Sequence, residues 1–363
     1  MSMSAALKRL GIPTLIWARL FVLLAAIELV TIVSIEGYAI HKTNSIYQSV
    51  FGDQEPWGAY PRDVSISQEN FLVYEALFVV AQVFLFYLCW DAVAYKNVIQ
   101  IIATVLFNGL LCIYALIQFT TFYLIPTESA VIFKDDKDNK VLQISTIIIY
   151  FLCSIAFGII GYEVYNNYGW RVYKKLDSAN LKINRAYMAH QILITLLKLD
   201  VFFFISYSIQ LATLVLKKSD AETYVQMAVV IPGSVIFLIL VFYALHRENK
   251  WLMLFVIVCL GLSPIYFIYK FLRMYVNIDK YDDPYADTRK YLTFFIVTTF
   301  VLIIVTVANA WVCYRNFGTG LREAIKAYKN KKREIAARVK ASNGQLTKDD
   351  FEYINSQKRT VLE

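Results

Sequence analysis

Glu28, Lys198 and Asp200 are ionisable, yet each falls within a long, predominantly apolar stretch of the chain. A charge carried to bilayer depth costs roughly 2.5–3.5 kcal/mol on insertion scales, so such groups face a partner or a cavity. Lys198 and Asp200 are two residues apart, about 200° around a helix, and so cannot face each other. Each needs a partner from another segment, and Glu28 is the opposite charge that suits Lys198. Gln191 lies seven residues before Lys198, on the same helical face. Glu28, Gln191, Lys198 and Asp200 together form a candidate binding site for a small polar solute or ion. Gln82, Asn108, Gln118, Gln210 and Asn309 add amides within apolar stretches. The competing reading is architectural: the same groups would join helices through hydrogen bonds worth roughly 0.6 kcal/mol each.

Other chemistry finds no template. The three histidines, His41, His190 and His246, are far apart and suggest no metal site. A Gly-x-Ser-x-Gly elbow, a phosphate-binding glycine loop and a His-Glu-x-x-His helix are all absent. A Glu28–Asp200 carboxylate pair has nothing to favour it as a catalytic dyad. No catalytic residue and no cofactor is therefore assigned, and the sequence argues against an enzyme more than for one. Cys89, Cys112, Cys153, Cys259 and Cys313 all lie in or at the ends of apolar stretches, so they read as small buried side chains rather than a disulfide framework. The net charge of +8 does not indicate nucleic acid, because 12 of the 36 Lys and Arg follow Tyr314. Attraction to anionic lipid headgroups accounts for that cluster.

The elements that must position these groups follow from composition. The chain is 58% hydrophobic and 18% charged, against roughly 45–50% and 25% in soluble domains. The excess is gathered into blocks long enough to cross a bilayer as helices, about 20 residues each. Eight spans can be drawn, over 14–40, 71–94, 98–125, 142–165, 189–216, 225–245, 251–275 and 290–314. The fold class is all-α: a polytopic transmembrane bundle of about eight spans. The first span follows Lys8 and Arg9 and reads as an uncleaved helix. Pro232-Gly233 and Pro264 fall inside spans six and seven, where they can kink a helix. Ser154 and Gly158 form a small-xxx-small step suited to close helix packing. No internal repeat is evident. The two tight connections, 91–97 and 246–250, leave seven or eight crossings open.

With a cytosolic N-terminus, 22 Lys and Arg fall on the cytosolic side and 12 on the other, which favours cytosolic termini. Residues 1–314 form the membrane domain and 315–363 a basic cytosolic tail. Residues 321–340 of that tail suit an amphipathic helix lying on the membrane surface. After span four, Tyr168, Trp170, Arg171, Tyr173, Lys174 and Lys175 read as a membrane-interface anchor.

Three stretches carry a family resemblance. They are Tyr168-Gly-Trp-Arg-Val-Tyr-Lys-Lys175, His190-Gln191 through Leu196-Leu-Lys-Leu-Asp-Val-Phe-Phe-Phe204 to Gln210, and Asn309-Ala-Trp-Val-Cys-Tyr-Arg-Asn-Phe-Gly-Thr-Gly-Leu321. In these the chain resembles an uncharacterised family of fungal multi-pass Golgi apparatus membrane proteins. The resemblance implies residence in the Golgi membrane and several spans, and it supplies no activity, substrate or catalytic residue. Three functions stay open. One is a non-catalytic factor that binds cargo or trafficking proteins through 166–188 and the tail. Another is a transporter of a small polar solute or ion with a midplane charged site. The third is a membrane-embedded lipid enzyme.

Overall fold

The computed structural model describes residues 16–51, 62–121, 137–175, 181–215, 228, 231–276, 285, 288–318, 320, 323, 330 and 334. Side chains are described over 16–45, 72–121, 138–168, 182–213, 228, 232–276, 285, 288–318, 320, 323, 330 and 334. Eight α-helices and no strand occur among the described residues: α1 Ile16–Phe51, α2 Arg62–Ala94, α3 Val98–Phe119, α4 Lys137–Lys175, α5 Leu181–Gln210, α6 Ile231–Arg247, α7 Lys250–Val276 and α8 Arg289–Arg315. A π-helical turn, Leu211–Val215, extends α5. Seven helices are long and apolar enough to cross a membrane. The exception, α6, has 17 residues, at the lower limit of spanning length. Helices are the expected answer, because in hydrocarbon each peptide group must be satisfied within its own segment. Large apolar side chains such as Leu106, Phe151, Leu152, Ile159 and Ile236 cover the outer surface, while Glu28, Glu75, Gln82, Asn108 and Asp200 are buried. This is the distribution of a bundle with a lipid-facing exterior.

The eight helices pack as two successive four-helix rings. In the first, α1 packs on α2 and α4, and α3 packs on α2 and α4; in the second, α5 packs on α6 and α8, and α7 packs on α6 and α8. The rings meet where α5 and α8 pack on α3, and α5 on α2. An aromatic seam fills that junction. Phe202 stacks on Phe84 at 4.6 Å and meets Phe107 edge-on at 5.0 Å, Phe203 adjoins Phe107 and Phe295, and Tyr74 stacks on Tyr291.

Both rings use the same turn between their second and third helices. Lys96 (φ 54°) and Glu248 (φ 52°) take the left-handed conformation. The next amide reaches back to the helix, Asn97 to the Ala92 carbonyl and Asn249 to the Ala244 carbonyl. This is the hydrogen-bond pattern of a Schellman C-cap. The same asparagine then caps the following helix: Asn97 Oδ1 accepts from the Ile99 amide, and Asn249 Oδ1 accepts from the amides of Trp251 and Leu252. The repeated ring and turn are a symmetry that sequence comparison by eye does not show, since the turn needs only one backbone conformation and one asparagine.

Two helix-level expectations change, and a third holds. Pro232 and Gly233 do not interrupt α6 but lie in its first turn, where proline's missing N–H is harmless. Pro264 does lie inside α7. It leaves the Leu260 carbonyl without its helical donor, and the Ser263 hydroxyl donates to that oxygen at 2.7 Å. The close approach on α4 is at Gly161, not at Gly158. A Cβ on Gly161 would sit 3.0 Å from Val105 Cγ2 and 3.5 Å from Phe21 Cε2, whereas one on Gly158 would meet nothing within 4 Å. Gly161→Val is expected to destabilise by about 2–3 kcal/mol through overpacking. Gly158→Ala is expected to be neutral or stabilising by up to about 1 kcal/mol. Thermal unfolding in detergent checks the pair, and equal effects at the two sites would refute the assignment.

Candidate functional site

The candidate residues separate into three sites. Lys198 does not pair with Glu28. Its ammonium meets Asp91 Oδ2 at 2.6 Å, donates to Gln100 Oε1 at 3.1 Å and lies over the Tyr87 ring. The reason is register along the bundle. Asp91 is three residues from the end of α2, and Gln100 is in the first turn of α3, so this pair sits close beneath the α2–α3 turn. Lys198 is central in α5 only because that helix starts well before the turn. Asn97 in the turn adds a hydrogen bond to Thr195 Oγ1, one helical turn away on α5. The whole cluster clamps the second ring to the first. Gln191 is half-buried, and its backbone carbonyl accepts from Thr195 Oγ1.

Glu28 belongs instead to a polar column inside the first ring. Asn108 Nδ2 donates to Glu28 Oε1 at 2.7 Å, and Ser154 Oγ donates to Asn108 Oδ1. Asn108 is at the middle of the 22-residue α3, so this triad lies at the membrane centre if α3 spans evenly. The Gln82 amide stands beside Glu28 without a well-formed hydrogen bond, and its Oε1 accepts from the Tyr150 hydroxyl at 3.4 Å. Two further acids join the column. Glu36 accepts from Thr146 at 3.1 Å, and Glu75 accepts from Gln118 at 2.7 Å and Gln143 at 2.6 Å. All three carboxyl groups are at most 1% exposed. Every donor in these bonds is a neutral amide or hydroxyl, which leaves the first ring internally hydrogen-bonded across its helices.

Asp200 points the other way, into the second ring. Its Oδ2 accepts from the Thr306 hydroxyl of α8 at 2.6 Å. Its Oδ1 accepts no hydrogen bond among the described residues, and the residue is 8% exposed. Asp200 lines a cavity of about 260 Å³ bounded by α5, α6, α7 and α8. Leu197, Val201 and Phe204 of α5, Gly233, Phe237 and Val241 of α6, Cys259 and Ser263 of α7, and Ile303 of α8 form much of its wall. Thr306 is nine residues from the end of α8, about 14 Å along the axis, so the carboxylate is deep. Two features of the second ring border this space: Gly233 in the first turn of α6, and Ser263, next to Pro264 inside α7.

Glu28, Lys198 and Asp200 therefore do not converge, and of the three it is Asp200 that lines the described cavity. Asp91, Glu36 and Glu75 were missing from the sequence-based candidates. Their signal was available, because each is an ionisable residue within a drawn span. Of the interface-anchor residues, Tyr168 turns into the core, 1% exposed. The side chains of Trp170, Arg171, Tyr173, Lys174 and Lys175 lie outside the described residues, although the backbone of α4 stays helical to Lys175. Of the basic tail, 315–363, only residues 315–318, 320, 323, 330 and 334 are among them. Among the described residues no group of three or more His, Cys, Asp or Glu is arranged to hold a metal ion.

Comparison with known proteins places the chain. A UPF0658 Golgi apparatus membrane protein of the fission yeast Schizosaccharomyces pombe is 30% identical to it over 275 residues, covering 68% of this chain and 76% of that protein. No protein-family model matches the chain, and no solved structure matches it. With this identity over most of both proteins, and with seven helices of its own long and apolar enough to cross a membrane, the chain belongs to the UPF0658 family of multi-pass Golgi apparatus membrane proteins.

Proposed function

We propose that this protein is a carrier of small solutes in the Golgi membrane, working at the α5–α8 cavity, with both termini on the cytosolic side. One observation carries the reading: a deeply buried carboxylate with one unbonded oxygen borders a cavity large enough for a small molecule. Glu28, Glu36 and Glu75 also leave one oxygen unbonded, but among these four acids it is Asp200 that lines the described cavity, where a ligand could offset the cost of an unmade buried hydrogen bond, about 1–3 kcal/mol. The proline inside α7, next to the wall residue Ser263, adds support, since Gly- or Pro-containing spans commonly border the binding sites of transporters. The Golgi assignment is supported by the family, and the orientation by the distribution of Lys and Arg.

Gly233 provides the test. A Cβ there meets nothing within 4 Å, yet the residue lines the cavity, so Gly233→Phe should fill the space without forcing the backbone. Cys259, also on the wall, is a free thiol and a native reporter. The expected result is that Gly233→Phe slows alkylation of Cys259 by a small maleimide at least ten-fold and leaves alkylation of Cys112 unchanged. In proteoliposomes loaded with a panel of small solutes, the wild type should release at least one faster than Gly233→Phe does. Equal release by both proteins across the panel would sink the carrier reading.

A further inference from the structure

We infer that the α5–α8 cavity takes a small lipophilic amine, a molecule with one ammonium group on an apolar body. This names the substrate class of the carrier site proposed above and rests on that reading. The argument is a balance of donors and acceptors. Thr306 commits its hydroxyl proton to Asp200, and Ser263 commits its own to the Leu260 carbonyl. Both side chains are thereby fixed as donors away from the cavity. Asp200 Oδ1 and the lone pairs of Ser263 remain as acceptors, and the Ser234 hydroxyl and Cys259 thiol on the same wall are neutral groups. Asp200 is the only acidic or basic residue on the described wall. A carboxylate or phosphate would meet this negative oxygen with no compensating cation on that wall. An alcohol would satisfy the hydrogen bond but not the charge.

An ammonium group satisfies both, with a charge-assisted hydrogen bond stronger than a neutral one. It also completes a buried ion pair that the protein leaves half-made. The phenyl rings of Phe204 and Phe237 on the same wall suit a cation and its apolar body. A divalent metal is a poor fit, because it requires several oxygen ligands and the wall offers one carboxylate. The cavity of about 260 Å³ is large enough for a small amine of this kind.

Three probes of one shape separate the possibilities: 2-phenylethylammonium, 2-phenylethanol and phenylacetate. The readout is protection of Cys259 from alkylation in the full-length chain in nanodiscs, followed by peptide mass spectrometry. The ammonium should protect at a concentration at least ten-fold lower than the alcohol, and phenylacetate should not protect. Asp200→Asn should weaken the ammonium to the level of the alcohol and leave the alcohol unchanged. The wild-type comparison stands by itself should that variant fold poorly. Equal protection by ammonium and alcohol would overturn the amine assignment while the cavity-binding reading survives. Preferential protection by phenylacetate would overturn it by reversing the sign. No protection by any of the three would overturn both the amine assignment and the cavity as a binding site.

Discussion

Replacing Lys198 by Met is expected to lower the stability of the folded bundle by about 3 kcal/mol. The substitution leaves Asp91 buried beneath the α2–α3 turn with its cation removed, and breaking one half of a buried pair typically costs about 3–5 kcal/mol. The lower end applies here because both side chains keep 15% exposure. Asp91→Asn should cost less. Lys198 then retains Gln100 Oε1 and the Tyr87 face, and the new amide offers an oxygen in place of the carboxylate. The double variant Asp91→Leu/Lys198→Met should recover most of the loss, since removing both charges also removes the burial penalty. Denaturant titration in detergent, as a double-mutant cycle, measures this coupling. Additive losses in the double variant would show that the two residues do not stabilise each other. The same experiment asks whether the two rings are held together at this clamp, because Lys198 belongs to the second ring and both of its partners to the first.

The second large effect is expected in the polar column. Asn108→Leu should cost about 2–3 kcal/mol. It removes the donor to Glu28 and the acceptor of Ser154 in one step, leaving two buried polar groups without their partners. That exceeds the average of roughly 0.6 kcal/mol for a membrane hydrogen bond, because the average describes pairs whose members find replacements. Gln82 Nε2 is the nearest replacement donor for Glu28; in the folded bundle it makes no hydrogen bond to the carboxylate, and the Tyr150 hydroxyl anchors that side chain by its Oε1. Glu28→Gln should cost less than about 1 kcal/mol, since the amide oxygen still accepts from Asn108. Thermal unfolding of the two variants decides the matter. A fully stable Asn108→Leu protein would mean that the column does not support the ring. A Glu28→Gln loss as large as that of Asn108→Leu would mean that the carboxylate itself is required for folding.

Where the membrane helices run was legible from composition alone. A run of about 20 apolar residues has one low-energy form in lipid, and that form does not depend on its neighbours. Seven of the eight drawn spans coincide with long apolar helices, and the eighth with the shorter α6. The opposed directions of Lys198 and Asp200 were also legible, because rotation along one helix is a local property. Their partners were not. Pairing depends on how far each helix is shifted along its neighbours. The middle of a span in sequence proved to lie beside the ends of α2 and α3 for Lys198, and on a cavity wall deep in the bundle for Asp200. The paired rings escaped sequence inspection because packing constrains shape and one left-handed turn residue, not residue identity. The free oxygen of Asp200 became visible only once four helices had closed around it: an empty volume is a relation among chains of side chains, and no single stretch of sequence contains it.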